Sequence, residues 1–163
     1  MGNHLQKEKY YQRADIANSY HSYRYGTASG KLVFARETEH IRHILHKPKT
    51  ILDVPCGTGR LFSALFHSCK VIGVDNSSVM IQHAKKHPYH KLIQANALSL
   101  PFKKDSFDAL ISLRFFFHFQ DIVPFLKEFA RVIKKDGCIV FETFNWSFRT
   151  IGGSKLWSFL GGR

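Results

Sequence analysis

The 163 residues suffice for one domain, and with 44% of them hydrophobic they can bury a substantial core. Three cysteines, Cys56, Cys69 and Cys138, form no Cys-x-x-Cys pair, which argues against both a disulfide framework and a thiolate zinc site. The formal charge of +12 permits RNA or anionic lipid as a partner, but the excess is spread along the chain rather than gathered in a tail and so requires neither.

The first residues contain no apolar stretch of signal-peptide type, and Gln6 stands where a myristoylation signal needs Ser or Thr. The longest apolar run, 109–119, is too short for a transmembrane segment and is interrupted by Arg114, so the cytoplasm is the expected location. Residues 1–49 are a polar, aromatic-rich lead. Within it, Leu32, Val33, Ile41, Ile44 and Leu45 predict a helix over 31–46, ahead of Pro48. From residue 50, short apolar runs at 50–54, 70–74, 91–94, 109–113 and 138–143 read as strands. Between them, 60–67, 77–87 and 121–134 read as helices. Asn76 and Ser77 supply cap-forming side chains, and Asp136-Gly137 reads as the turn out of the last helix. This alternation predicts an α/β fold: a Rossmann-like, doubly wound, mostly parallel sheet with helices on both faces.

Residues 51–59, Ile-Leu-Asp-Val-Pro-Cys-Gly-Thr-Gly, place an acid at the end of the first strand and a tight glycine loop before a helix. That arrangement sets backbone N–H groups beside a nucleotide-like ligand. Asp75 ends the second apolar run, where a carboxylate can accept from both hydroxyls of a ribose. Together they imply an adenosine-containing cofactor. A nicotinamide dinucleotide site also uses a glycine turn and an acid, but Phe62 fills the place of its third glycine. A phosphate-binding P-loop needs Gly-Lys-Ser or Gly-Lys-Thr, which does not follow the loop.

Three further segments sharpen this reading. Asn96-Ala97-Leu98-Ser99-Leu100-Pro101-Phe102, Ser106-Phe107-Asp108 and the stretch 128–137 follow the glycine loop in an order and spacing that resemble class I S-adenosylmethionine-dependent methyltransferases. Pro55 stands where that family usually has its first glycine, and Asn96 where it usually has an acid.

The resemblance implies roles at matching positions. Asp53 would hold the methionyl ammonium directly or through water, and the loop Pro55, Cys56, Gly57, Thr58 and Gly59 would cradle the cofactor, its glycines allowing close approach. Asp75 would hold the ribose, with Asn76 and Met80 flanking the adenosine. Asn96 and Ala97 would read the adenine edge, while Ser112, Leu113 and Arg114 would line the methionine end. Tyr20, Arg24 and Tyr25 match the family's aromatic N-terminal cover. His118, just beyond the fourth strand, is the candidate general base for an acceptor that must lose a proton. It is equally readable as a partly exposed helix-start histidine. Arg114 reads either as an orienting contact for an anionic acceptor or as an ion-pair partner, and the cluster Phe115, Phe116, Phe117 and Phe119 as core or as substrate wall.

No metal is expected. His40, His43 and His46, and the pair His83 and His87, have helical spacing but lack a His-Glu-x-x-His arrangement. Cys56 has no histidine near it in sequence to activate it. The resemblance divides the chain into an N-terminal helical cover (1–49), a cofactor-binding core (50–144) and a remnant of the acceptor region (145–163), with the last strands of the family sheet absent and the chain reading as a fragment. The expected function is methyl transfer from S-adenosylmethionine to a small-molecule acceptor by in-line displacement, with RNA permitted by the charge. The alternatives are a non-catalytic cofactor-fold module acting through a partner subunit, and a nicotinamide-dependent oxidoreductase.

Overall fold

The computed structural model describes residues 10–45, 47–65, 69–142 and 157–158; for 20–25, 63–65 and 157–158 only the backbone is described. Two helices, α1 (Ala14–Tyr25) and α2 (Ala28–Ile44), precede an alternation of strands and helices. This comprises β1 (Thr50–Asp53), α3 (Arg60–Leu65), β2 (Lys70–Asp75), α4 (Ser78–Ala84), β3 (Lys91–Gln94), β4 (Phe107–Ser112), a 3-10 turn (Phe116–His118), α5 (Val123–Val132) and β5 (Ile133–Phe141). The five strands pair in parallel in the order β3-β2-β1-β4-β5, as the sequence predicts for a doubly wound sheet. The chain winds outward from β1 to β3 and then returns to place β4 on the other side of β1. That reversal opens a crevice at the carboxyl ends of β1 and β4.

Alternate residues of the strands feed two apolar layers. Leu52, Val54, Val74 and Leu110 pack with Phe125, Phe129 and Val132 of α5. Ile51, Val71, Ala109, Ile111 and Val140 pack with Ile41 of α2 and with Leu61 and Phe62 of α3. Both layers are covered, which explains why the strands are nearly continuous apolar runs.

Element boundaries depart from the sequence reading at several places. Helix α2 starts earlier than 31 because Thr27 caps it, its hydroxyl accepting from the Gly30 N–H at 3.1 Å. Ser77 caps α4 in the same way by accepting from Met80, and the helix stops at Ala84, well short of 87. Strand β4 begins at Phe107. Strand β5 begins at Ile133, immediately after α5, so Asp136-Gly137 is not the turn out of that helix. Pairing jumps from Phe107↔Ile133 to Ala109↔Cys138, and residues 134–137 bulge within the strand. Lys134 then reaches back to Asp108 at 2.7 Å, and a Cβ at Gly137 would lie 2.5 Å from the Ile133 side chain. A short antiparallel strand, β6 (Trp157–Ser158), pairs with Val140 and Phe141, in a region the sequence reading left without strands. His46 and His67 lie outside the described residues.

Candidate cofactor site

The glycine loop is held open by hydrogen bonds to the neighbouring strands. The Val54 N–H donates to the Ile111 carbonyl at 2.9 Å, and the Cys56 N–H to the Val74 carbonyl at 2.8 Å. Gly57 and Gly59 take left-handed φ values of 55° and 82°, which only glycine adopts without strain. Their surroundings differ. A Cβ on Gly57 would meet nothing within 4 Å, whereas one on Gly59 would sit 2.5 Å from the His87 ring and 3.2 Å from the Ala84 backbone. The expectation that both glycines clear space for a ligand is thus corrected for Gly59, which clears space for α4 and the loop after it. The Val54–Pro55 peptide is cis.

Asp75 faces the loop across the crevice. One of its oxygens accepts from the Gly57 N–H at 2.9 Å and the other from the Ser77 N–H at 2.8 Å. Burial raises its pKa to about 6, against the opposing effect of those backbone donors. Asp53 is buried more deeply. Burial raises its pKa to about 7, the Tyr89 hydroxyl donating to Oδ2 at 2.6 Å and nearby Arg60 opposing the rise. Its Oδ1 has no hydrogen-bond partner among the described residues.

Both carboxyls have folded-state pKa values above their unfolded values, so their protonated forms favour folding. That stabilisation is complete below about pH 4 and is lost as pH rises through 6 to 7. Denaturant titrations at pH 5 and pH 8 should therefore show Asp53→Asn losing less stability across that interval than the wild type. An identical loss in both would contradict the burial assigned to Asp53.

A cavity of about 220 Å³ runs along this crevice. It is lined by Pro55, Cys56, Gly57, Thr58, Asp75, Asn76, Met80, Asn96, Ala97, Leu113, Arg114 and His118 among the residues singled out in the sequence. Asp53, Gly59 and Ser112 do not line it; Asp53 and Ser112 are buried behind it, and Gly59 is buried against α4. The side chains of Tyr20, Arg24 and Tyr25 lie outside the described residues. Among the described residues of the lead, Tyr11 and Gln12 reach the cavity. The Tyr11 carbonyl accepts from the Ser77 hydroxyl at 2.8 Å, and its ring meets His118 edge-on at 5.7 Å. The Asn96 side-chain oxygen accepts from the Leu98 N–H at 2.9 Å, so part of its accepting capacity serves the local turn. Phe115 and Phe119 line the cavity, whereas Phe116 belongs to the core.

An ionic network borders the cavity. Glu37, on the inner face of α2, pairs with both Arg60 and Arg114, and the Arg114 Nε lies 3.2 Å from Glu142. Arg114 holds a left-handed φ of 59° within this network. The structure thus supports the ion-pair reading of Arg114. A sequence signal existed: Phe34, Glu37, Ile41 and Ile44 share one helical face, and a carboxylate in an apolar stripe needs a buried cation. Burial raises the Cys56 thiol pKa far above its ordinary value, which disfavours the nucleophilic thiolate. Among the described residues, no cluster of three or more His, Cys, Asp or Glu is placed to hold a metal.

A parallel sheet of this order, a glycine loop after β1 and an acid ending β2 define an adenosine-cofactor-binding α/β domain. The family described as "Methyltransferase domain" matches residues 52–141. A demethylmenaquinone methyltransferase of Lysinibacillus sphaericus is 33% identical over 127 residues, covering 71% of this chain and 53% of its own length. An uncharacterized protein of Methanocaldococcus jannaschii is 34% identical over 109 residues, covering 67% of this chain and 42% of its own. The crystal structure of an S-adenosylmethionine-dependent methyltransferase of Thermotoga maritima, described as a possible histamine N-methyltransferase, superposes with a TM-score of 0.66 at 24% identity. The match covers 82% of this chain and 61% of that one. The chain belongs to the class I S-adenosylmethionine-dependent methyltransferase family, with S-adenosylmethionine as the implied cofactor. It spans about half the length of the curated relatives it matches.

The residues present suit that cofactor. Asp53 Oδ1 is a buried acceptor without a donor among the described residues, and Gly57 leaves open space where any side chain would stand. Asp75 sets a carboxylate at the cavity wall. Among the described residues, no helix is long and apolar enough to cross a membrane.

Proposed function

We propose that the protein binds S-adenosylmethionine along this crevice and catalyses methyl transfer to a small-molecule acceptor by in-line displacement. The observation that carries this reading is Asp75, fixed at the end of β2 by Gly57 and Ser77 with its carboxylate at the cavity wall. When bound, the cofactor supplies a methyl group already activated by its sulfonium.

Asp75 accepts from the ribose hydroxyls, and Asn76 and Met80 flank the adenosine. Asn96 and Ala97 meet the adenine edge through side chain and backbone. Asp53 holds the methionyl ammonium through water, since its side chain lies behind the cavity wall rather than on it. Leu113 and Arg114 close the methionine end. The aromatic residues Tyr11, Phe115 and Phe119 exclude water, which favours alignment of nucleophile, methyl carbon and sulfur. His118, at the cavity wall, takes the proton from a hydroxyl or carbon acceptor. A small apolar acceptor is supported by this lining and by the demethylmenaquinone methyltransferase among the relatives. Three free, well-separated cysteines fit a cytoplasmic location.

The test is transfer of labelled methyl from S-adenosylmethionine to a panel of small hydroxylated aromatic compounds. His118→Gln should lower kcat by about 100-fold or more while leaving cofactor affinity unchanged. Absence of transfer to any acceptor class, or full activity in the variant, would contradict this assignment.

A further inference from the structure

The loop between α4 and β3 carries an aromatic residue that reaches beneath the glycine loop. The Tyr89 ring packs against Phe62 with centroids 4.7 Å apart. It occupies a slot that two glycines create: a Cβ on Gly73 would lie 2.9 Å from the ring, and one on Gly59 would lie 3.1 Å from it. Gly73 stands opposite Asp53 in the β1–β2 register, so the missing side chain on β2 is what lets the tyrosine approach the acid on β1. At the end of that slot the hydroxyl donates to Asp53 Oδ2 at 2.6 Å. The backbone fixes the approach from outside, with the Tyr89 N–H donating to the His87 carbonyl and the His90 N–H to the Val71 carbonyl.

We infer that Tyr89 is a positioning residue for the methionyl end of the cofactor, acting through Asp53: it fixes one carboxylate oxygen and favours the ionised acid, leaving the other oxygen as the acceptor. This rests on the S-adenosylmethionine reading above. Asp53 is more than nine-tenths buried, and its Oδ1 has no partner among the described residues, so the bond from Tyr89 is the side-chain hydrogen bond the structure gives the acid. The ionisable groups facing Asp53 are Tyr89 from the α4–β3 loop, Arg60 from α3, Asp75 from β2 and Cys56 from the glycine loop. Of these, Tyr89 and Arg60 favour the carboxylate, whereas Asp75 opposes it. A hydroxyl that bonds a buried carboxylate favours its ionised form and selects one orientation. Glycines at 59 and 73 and the tyrosine at 89 thus act as one unit, distant in sequence but closed around the acid that precedes the loop.

The test is calorimetric titration of S-adenosylmethionine into the wild-type chain, Tyr89→Phe and Asp53→Asn from pH 5.5 to 9. The phenylalanine variant keeps the packed ring and removes only the donor. Its affinity midpoint should move to higher pH by about one to two units, the change expected from losing a hydrogen bond to a charged group. Asp53→Asn should lose that component of the pH dependence, while the Asp75 component remains. An unchanged midpoint in Tyr89→Phe, whether or not affinity falls uniformly, would reduce the tyrosine to packing and overturn the inference alone. Failure of the wild type to bind S-adenosylmethionine at any pH would overturn the cofactor reading and the inference with it.

Discussion

Replacing Asp75 with Ala should weaken S-adenosylmethionine binding by about tenfold to a hundredfold, or about 1.4 to 2.7 kcal/mol. Two effects combine. The ribose hydroxyls lose a charged acceptor, and the Gly57 and Ser77 N–H groups lose the oxygens that hold the loop and the α4 start in register. Asp75→Asn separates them, because the amide oxygen retains one acceptor while the charge is gone. Its affinity should fall between those of wild type and Asp75→Ala. Calorimetry at pH 8, above the raised pKa of about 6, measures the full effect of the ionised group. Near pH 5.5 the wild type is itself partly protonated, and the difference from Asp75→Asn should narrow.

Glu37→Ala should destabilise the fold by about 3 kcal/mol, the lower end of the cost of breaking a buried ion pair. Glu37 exposes 7% of its side chain, and its partners Arg60 and Arg114 expose 10% and 22%. Removing the central acid leaves two largely buried guanidiniums in its neighbourhood, with Glu142 paired to Arg114 among the described residues. Arg60 also sits over the Phe34 ring at 4.5 Å, which eases its loss. For a domain of this size the midpoint should drop by roughly 6 to 12 °C. Glu37→Gln keeps acceptor capacity and should recover part of the loss. Glu39→Ala, on the exposed face of the same helix with its carboxylate 3.8 Å from Arg36, should change stability by less than about 0.5 kcal/mol. Because Arg60 and Arg114 both line the cavity, Glu37 also ties α2 to the cavity walls. Denaturant unfolding of the three variants distinguishes this network from an ordinary surface pair.

The loop and strand ends that form the crevice are legible in the sequence because their signals are short and contiguous: an acid, two glycines and a helix start within nine residues, then an acid closing the next strand. Such motifs depend on local backbone geometry, which sequence displays directly. Tyr89 was not legible, since its role depends on the parallel register that sets Gly73 opposite Asp53. Glu37 left a trace as a carboxylate in an apolar stripe, but its partners come from 23 and 77 residues away. The start of β5 was hidden for a different reason. The charged run Lys134-Lys135-Asp136 reads as a helix end and turn, and only pairing with β4 shows it to be a bulge. Nothing in the local pattern around Tyr11 marks it, and it gains its place by folding back over Ser77 and His118.

The most direct measurement is calorimetry of the same protein with S-adenosylmethionine, its demethylated product and NAD. The first two should bind at one site with stoichiometry near one, and Asp75→Ala should weaken both, whereas NAD should give no saturable heat. Tighter binding of NAD than of S-adenosylmethionine, or an affinity that Asp75→Ala leaves unchanged, would contradict the assignment of this crevice.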